Sequence, residues 1–298
     1  MTGVQTFALP IYWFGDEITC NSWENIWLNE GWATYCSVLC YEYMTFPVDY
    51  YSRFKKQLIN KITAQPDGSV FCTDTNSVAR IFDSRLSYAK GAYLLHMLRW
   101  KIGDDNFFTA VKKYIADTSL AYKFSATENF KMHMEQQSGQ DLTEFLNDWF
   151  YGQGYPTYGL DWAQDAEKKI SLVIRQSTSH PSVSFYKMPV PVEFKSSTHD
   201  TIVVFNNAYN NQNFETQLSF FADSAFVDPE NWILKGPSKI RKLPYIDASE
   251  FVLLRPNPAG NFFQVWFDAE TINIKSLSIY DVTGREMKQI PLSPVPVS

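Results

Sequence analysis

The chain has 298 residues, 45% of them apolar and 16% aromatic, with a formal net charge of −6 and a pI near 5.3. That length leaves room for two or three domains of ~100–150 residues each, and the aromatic content speaks against a disordered chain. No Lys/Arg run argues for a nucleic-acid partner or an anionic membrane surface, and no stretch approaches the ~20 apolar residues of a transmembrane segment.

Four cysteines, Cys20, Cys36, Cys40 and Cys72, include no C-x-x-C pair. Cys36 and Cys40 share a helix face, and buried thiols are expected rather than a zinc knuckle or disulfides.

Taken in chain order, residues 23–152 carry a helical pattern. Val48 to Ile62, Leu86 to Ile102, Asn106 to Ile115, Thr127 to Gln137 and Leu142 to Phe150 each repeat apolar residues at three- and four-residue spacing. Ser125 with Glu128 predicts a capping box, Gly139 a helix stop, and Asp141 with Glu144 the next start. Tyr151-Gly-Gln-Gly-Tyr-Pro156 then breaks the helical run.

Beyond Pro156 the period becomes that of strands: Lys169 to Gln176, Val190 to Phe194, Thr201 to Phe205 and Phe214 to Phe221. These predict a small β-sandwich over 156–235. A Pro- and Lys-containing linker is expected over 236–250, then a β segment over 251–298 with a strand Leu277–Tyr280 and a turn at Asp281–Arg285.

The stretch Phe7-Ala-Leu-Pro-Ile-Tyr-Trp-Phe-Gly-Asp16, followed by Trp23-Glu-Asn-Ile-Trp-Leu-Asn-Glu-Gly-Trp-Ala-Thr-Tyr35, looks like half of a metal site. Two histidines at i and i+4 on a helix, with a glutamate from a later helix, give zinc three ligands and an open position for water. A glutamate beside the first histidine then serves as general base. WFGD followed by WENIWLNEGWATY resembles the M1 family of zinc aminopeptidases, the gluzincins.

That resemblance implies HExxH, eighteen residues, then the third ligand, which falls on Glu30. The histidine positions then hold Phe7 and Ile11, and the general-base position holds Ala8. Pro10 would break the zinc helix at a cost of ~3 kcal/mol. Thr2 to Ile11 in turn resembles the translation of a common sequencing-library adapter, TGVQTCALPI, with Phe7 the one departure. Residues 1–11 are therefore expected to be an artefact that stands where the motif belongs. His96, His133, His180 and His199 have no partner at i+4 and are expected to be core or surface histidines.

Ser87-Tyr-Ala-Lys-Gly91 resembles the family's Y-x-K-G segment, which makes Tyr88 the expected donor to the oxyanion of the tetrahedral intermediate. A neutral phenol suits that role because it delivers one directed donor where charge develops. Taken alone, Tyr88 reads as a core residue and Glu30 as an acidic residue favoured by the dipole of a first helical turn. The resemblance runs over residues 12 to 235, through Asp148-Trp149, Gly154-Tyr-Pro156 and Met188-Pro-Val-Pro-Val192. The family's GxMEN motif, which binds the substrate's α-amino group, lies upstream of the zinc helix and is absent here.

Leu253-Leu-Arg-Pro-Asn-Pro-Ala259, with Ile279-Tyr-Asp-Val-Thr-Gly-Arg285, is similar to the C-terminal sorting domain of the type IX secretion system of Bacteroidetes. It implies export across the outer membrane, a secreted or cell-surface location, and the secretion machinery as partner. The final strand of that domain is expected to be missing.

The expected fold is multidomain α + β: the helical C-terminal part of a gluzincin catalytic domain over 12–155, the sandwich, the linker and the sorting domain. The expected function is that of a fragment of a secreted zinc metallo-aminopeptidase acting on peptides. The chain itself is expected to be inactive and to hold no tight zinc, because one carboxylate cannot hold the ion in an open three-ligand site. The alternative is a secreted non-catalytic peptide- or surface-binding module on the same scaffold. A catalytic domain cut in half would also leave apolar helix faces uncovered and the chain poorly soluble.

Overall fold

The computed structural model describes residues 12–43, 47, 49–243 and four strands within 252–291, with side chains described among residues 14–243 and at 278, 279 and 287–290. Phe7, Ala8, Pro10 and Ile11, the Pro256–Ala259 stretch and the Asp281–Arg285 turn lie outside the described residues. The chain divides into two compact units, one of residues 1–164 and 168–243, the other of 165–167 and 244–298.

In the first unit a kinked turn, Tyr12–Glu17, leads into strand β1, Ile18–Cys20, and helix α1, Trp27–Tyr43. Helices α2, Tyr50–Thr63, α3, Val78–Ile81, α4, Gly91–Ile102, α5, Asp104–Ile115, α6, Thr127–Ser138, and α7, Thr143–Leu146, follow. Strand β2, Lys123–Ser125, runs parallel to β1. Most of the helices bury one apolar face against a partner, while α4 is buried nearly all round from Gly91 to Arg99. From α1, for example, Trp27, Leu28, Trp32, Tyr35 and Val38 are all buried.

Two of the expected helices are wound differently. Ser84–Lys90 is a π-helical turn that feeds into α4, and Asn147–Tyr151 is another that follows α7. Asp83 caps the first, its carboxylate accepting from the backbone N–H groups of Arg85 (2.7 Å) and Leu86 (3.0 Å). The capping box expected from Ser125 and Glu128 is replaced. Ala126 occupies the cap position, and its N–H donates to Asn129 Oδ1 at 3.0 Å, because Ser125 is drawn into the β1–β2 pairing. Gly139, at φ 70°, ends α6 in the left-handed conformation.

Strand β3, Pro156–Gln164, pairs antiparallel with β4, Lys169–Thr178, in a sheet of order β7-β4-β3-β9. The second sheet has order β6-β5-β8. Its strands are β5, Met188–Lys195, β6, Asp200–Asn207, and β8, Ser224–Val227. Trp162 packs on Phe194 and Phe205 on Phe214 across the two sheets, which is the sandwich expected from the alternating pattern. Strand β7, Gln212–Gln217, is shorter than the expected segment to Phe221.

The expected linker over 236–250 begins with β9, Lys239–Lys242, which pairs in parallel with β3. Arg241 of β9 donates from Nε to Asp161 Oδ1 at 2.8 Å and so ties this edge strand to its neighbour. The helices and the sandwich, read from sequence as separate domains, form one compact unit. The loop after β8 joins them: Tyr93 donates to the Asn231 carbonyl at 2.7 Å, Lys55 to the Glu230 carbonyl at 2.7 Å, and Trp232 stacks on His96 and Trp100.

The second unit contains two hairpins. Val252–Arg255 pairs with Gln264–Phe267, and Ser276–Tyr280 with Glu286–Pro291.

Candidate active site

Helix α1 is pinned by its tryptophans. Trp27 donates from its indole to Thr127 Oγ1 at 2.9 Å, and Trp32 stacks face to face on Phe14 at 4.1 Å. Between them, Gly31 lies against Gly91 at the start of α4. A Cβ on Gly31 would stand 2.9 Å from the Gly91 carbonyl carbon, so the two backbones approach as closely as glycine permits. This crossing brings Glu30, one residue before Gly31, against Tyr88, three residues before Gly91.

The neighbours of Tyr88 are committed elsewhere. Ser87 is buried and accepts from Arg80 at 3.3 Å. Lys90 is buried and donates to the carbonyls of Gly68 (2.7 Å) and Gly152 (3.3 Å). In Tyr88-Ala-Lys-Gly91, lysine therefore ties down the turn, glycine admits α1, and the tyrosine points at Glu30. Tyr88 and Glu30 are both half-buried and electrostatically coupled to each other.

The electrostatics fit a neutral phenol donating to a carboxylate. Burial raises the Glu30 carboxyl above the usual range, and the Tyr88 side chain opposes that rise. Burial, then the nearby Glu30 carboxylate, push Tyr88 up to about 12. The Cys20 thiol beside them is pushed up to about 11, chiefly by burial. Asn29 Oδ1 accepts from the Cys20 N–H at 3.0 Å and fixes β1 to the start of α1.

A cavity of about 660 Å³ opens beside Glu30, between β1, the Ser22–Ile26 turn and the loop at Thr75 and Phe82. A second, largely apolar cavity of about 650 Å³ lies between α1 and α5, lined by Phe14, Trp32, Leu39, Phe108 and Val111.

The other titratable residues fill different roles. His96 is buried beside the Asn231 carbonyl, and its pKa is lowered well below the usual value, first by burial. His133 faces Asp117 at 3.1 Å, His180 bonds Ser182, and His199 stacks on Phe220. All four cysteines are free, with Cys20 and Cys72 buried. Among the described residues no group of three or more His, Cys, Asp or Glu could hold a metal ion. Glu30 offers a single carboxylate beside Tyr88, so the described residues alone do not complete a zinc site.

Residues 9–149 match the Peptidase family M1 domain. The chain is 27% identical over 224 residues to aminopeptidase A of Gloydius brevicauda, an overlap of 70% of this chain and 22% of that protein. It is 27% identical over 206 residues to human glutamyl aminopeptidase, covering 66% and 21%, and 31% identical over 149 residues to aminopeptidase M1-B of Oryza sativa, covering 48% and 17%. Its relatives are thus M1-type aminopeptidases, and the chain spans about a fifth of their length. The crystal structure of Legionella pneumophila aminopeptidase A in complex with aspartic acid shares the fold, with a TM-score of 0.63 at 18% identity over 80% of this chain and 26% of that one.

No helix among the described residues is long and apolar enough to cross a membrane. The sequence had singled out Glu30 and Tyr88. It had not indicated Lys90, Gly31 or Gly91 as the residues that bring them together, and only the Y-x-K-G spacing hinted at the last.

Proposed function

We propose that the chain is the part of an M1-type zinc aminopeptidase that follows the HExxH motif, with Glu30 the third metal ligand of the complete site and Tyr88 its oxyanion donor. The observation that carries this is the pairing of Glu30 with Tyr88 at the Gly31–Gly91 crossing, inside the stretch that matches the family. In the complete protein the substrates are peptides shortened from their N-termini. The chain as it stands, with Phe7, Ala8 and Ile11 at the motif positions, is inactive.

The second unit, with its Pro256-Asn-Pro-Ala259 stretch and β-hairpins, is proposed as a type IX sorting domain, which makes the protein secreted or surface-bound.

Zinc binding tests the site. The unaltered chain should take up no stoichiometric zinc in competition with a chromophoric chelator. The variant Phe7→His, Ala8→Glu, Pro10→Gln, Ile11→His should bind one equivalent, and a further Glu30→Gln should weaken that binding at least tenfold. Tight zinc in the unaltered chain, no binding in the restored one, or indifference to Glu30→Gln would each contradict the assignment.

A further inference from the structure

The cavity over Glu30 has an unusual wall. Its acidic side chains are Glu24 and Glu30, and no Lys, Arg or His is among its lining residues. Neither carboxylate has an ion-pair partner among the described residues. The nearby Ser22 side chain favours the charged form of Glu24 and keeps its carboxyl below the usual range.

Three aromatic rings stand at the same cavity and are exposed: Trp23 at 48%, Phe82 at 43% and Phe124 at 68%. Trp23 and Phe82 meet edge to face at 6.0 Å, each fixing the other's orientation. Large aromatic surfaces left in water beside an unpaired carboxylate are unfavourable for a free surface but complementary to a cation with an apolar stem. A guanidinium can lie on a ring face and pair with a carboxylate at once, which a neutral or acidic side chain cannot.

We propose that this cavity is a specificity pocket for a basic residue of a bound peptide, with Glu24 as its charge partner and Trp23, Phe82 and Phe124 as its aromatic walls. The proposal takes its peptide ligand from the functional reading above. It adds the residue class, and it is tested by binding to the unaltered chain, with no reliance on zinc or turnover.

The experiment compares fluorescently labelled peptides Ala-Arg-Ala and Ala-Gln-Ala by anisotropy at low salt. The arginine peptide should bind at least tenfold more tightly, with the gap shrinking as salt is raised. Glu24→Gln should close most of that gap, Glu24→Asp should keep it, and Trp23→Ala should weaken the arginine peptide. Equal binding of the two peptides, no saturable binding of either, or a gap that survives Glu24→Gln would overturn the pocket. Each of those results leaves the zinc-binding test of Glu30 untouched.

Discussion

Tyr88 and Glu30 face each other and are electrostatically coupled where Gly31 of α1 rests on Gly91 of α4. The pairing joins residues from distant parts of the sequence. It exists because two glycines allow their backbones into contact there, and because Lys90 and Ser87 hold the π-helical turn that aims the phenol. π-Helical turns recur at functional sites, where the extra residue per turn re-aims a side chain.

Removing the phenol's hydroxyl should leave a half-buried carboxylate without its polar neighbour. In Tyr88→Phe the Glu30 carboxyl should therefore titrate at higher pH than in the parent chain, read by NMR of the Glu30 side-chain carboxyl. An unchanged titration would show that the two groups do not interact. In an enzyme carrying HExxH, the same substitution should lower kcat by ~10²–10³ with KM little altered, as expected for a donor acting on the transition state.

The glycine crossing sets its own test. A Cβ on Gly31 would press on the Gly91 backbone, which cannot rotate away as a flexible side chain could. Gly31→Ala should cost about 1–3 kcal/mol in chemical denaturation, within the range for overpacked cores, and should also weaken the Glu30–Tyr88 contact. A neutral effect would mean that the helices do not approach so closely.

Arg99 lies in the core with 2% of its side chain exposed, donating to Glu42 at 2.6 and 2.8 Å and to Asp104 at 2.6 and 2.8 Å. Glu42 is 19% exposed and Asp104 54%. Arg99→Met should destabilise by about 3 kcal/mol, because it strands the Glu42 carboxylate in a poorly solvated place. Asp104→Asn should cost under about 1 kcal/mol, since water screens that partner. Equal losses in thermal melts would contradict this division.

Lys90 makes stability depend on pH. Burial, helped by the charges of Arg85 and Arg80, pushes its ammonium down to about 7 from its ordinary value of 10.5. Between those values the unfolded chain holds a proton that the folded chain has released, so stability rises with pH across that window. Below about pH 7 both states carry the proton and the contribution is flat. Lys90→Met should remove this rise, seen as a smaller increase in denaturation midpoint between pH 7 and 10 than in the parent. A parallel pair of pH profiles would show that Lys90 is not driven neutral.

Much of the fold was legible because burial imposes a period. The apolar repeat of Thr127 to Gln137 and the alternation of Lys169 to Gln176 each matched an element to within a few residues. What escaped had no period to read. A π-helical turn differs from an α-helical one by a single residue, so Ser84–Lys90 merged with α4. Lys239–Lys242 is a parallel edge strand with three charged residues in four, and its polar composition read as linker. Trp232, in the loop that joins sandwich to helices, is placed by stacking on His96 and Trp100 rather than by any local pattern. Glu30 and Tyr88 were visible only through family resemblance. The glycine contact that unites them is a tertiary event.

The proposed site, Glu30 and Tyr88 with histidines at positions 7 and 11, is tested by reading the source DNA across the codons for Pro10 to Phe14, with independent reads that extend upstream. The expected result is HExxH over positions 7–11, one residue before Trp13-Phe-Gly-Asp16 and in register with Glu30. Reads that confirm Phe7-Ala-Leu-Pro-Ile11 would contradict it and leave a non-catalytic binding module on the same scaffold.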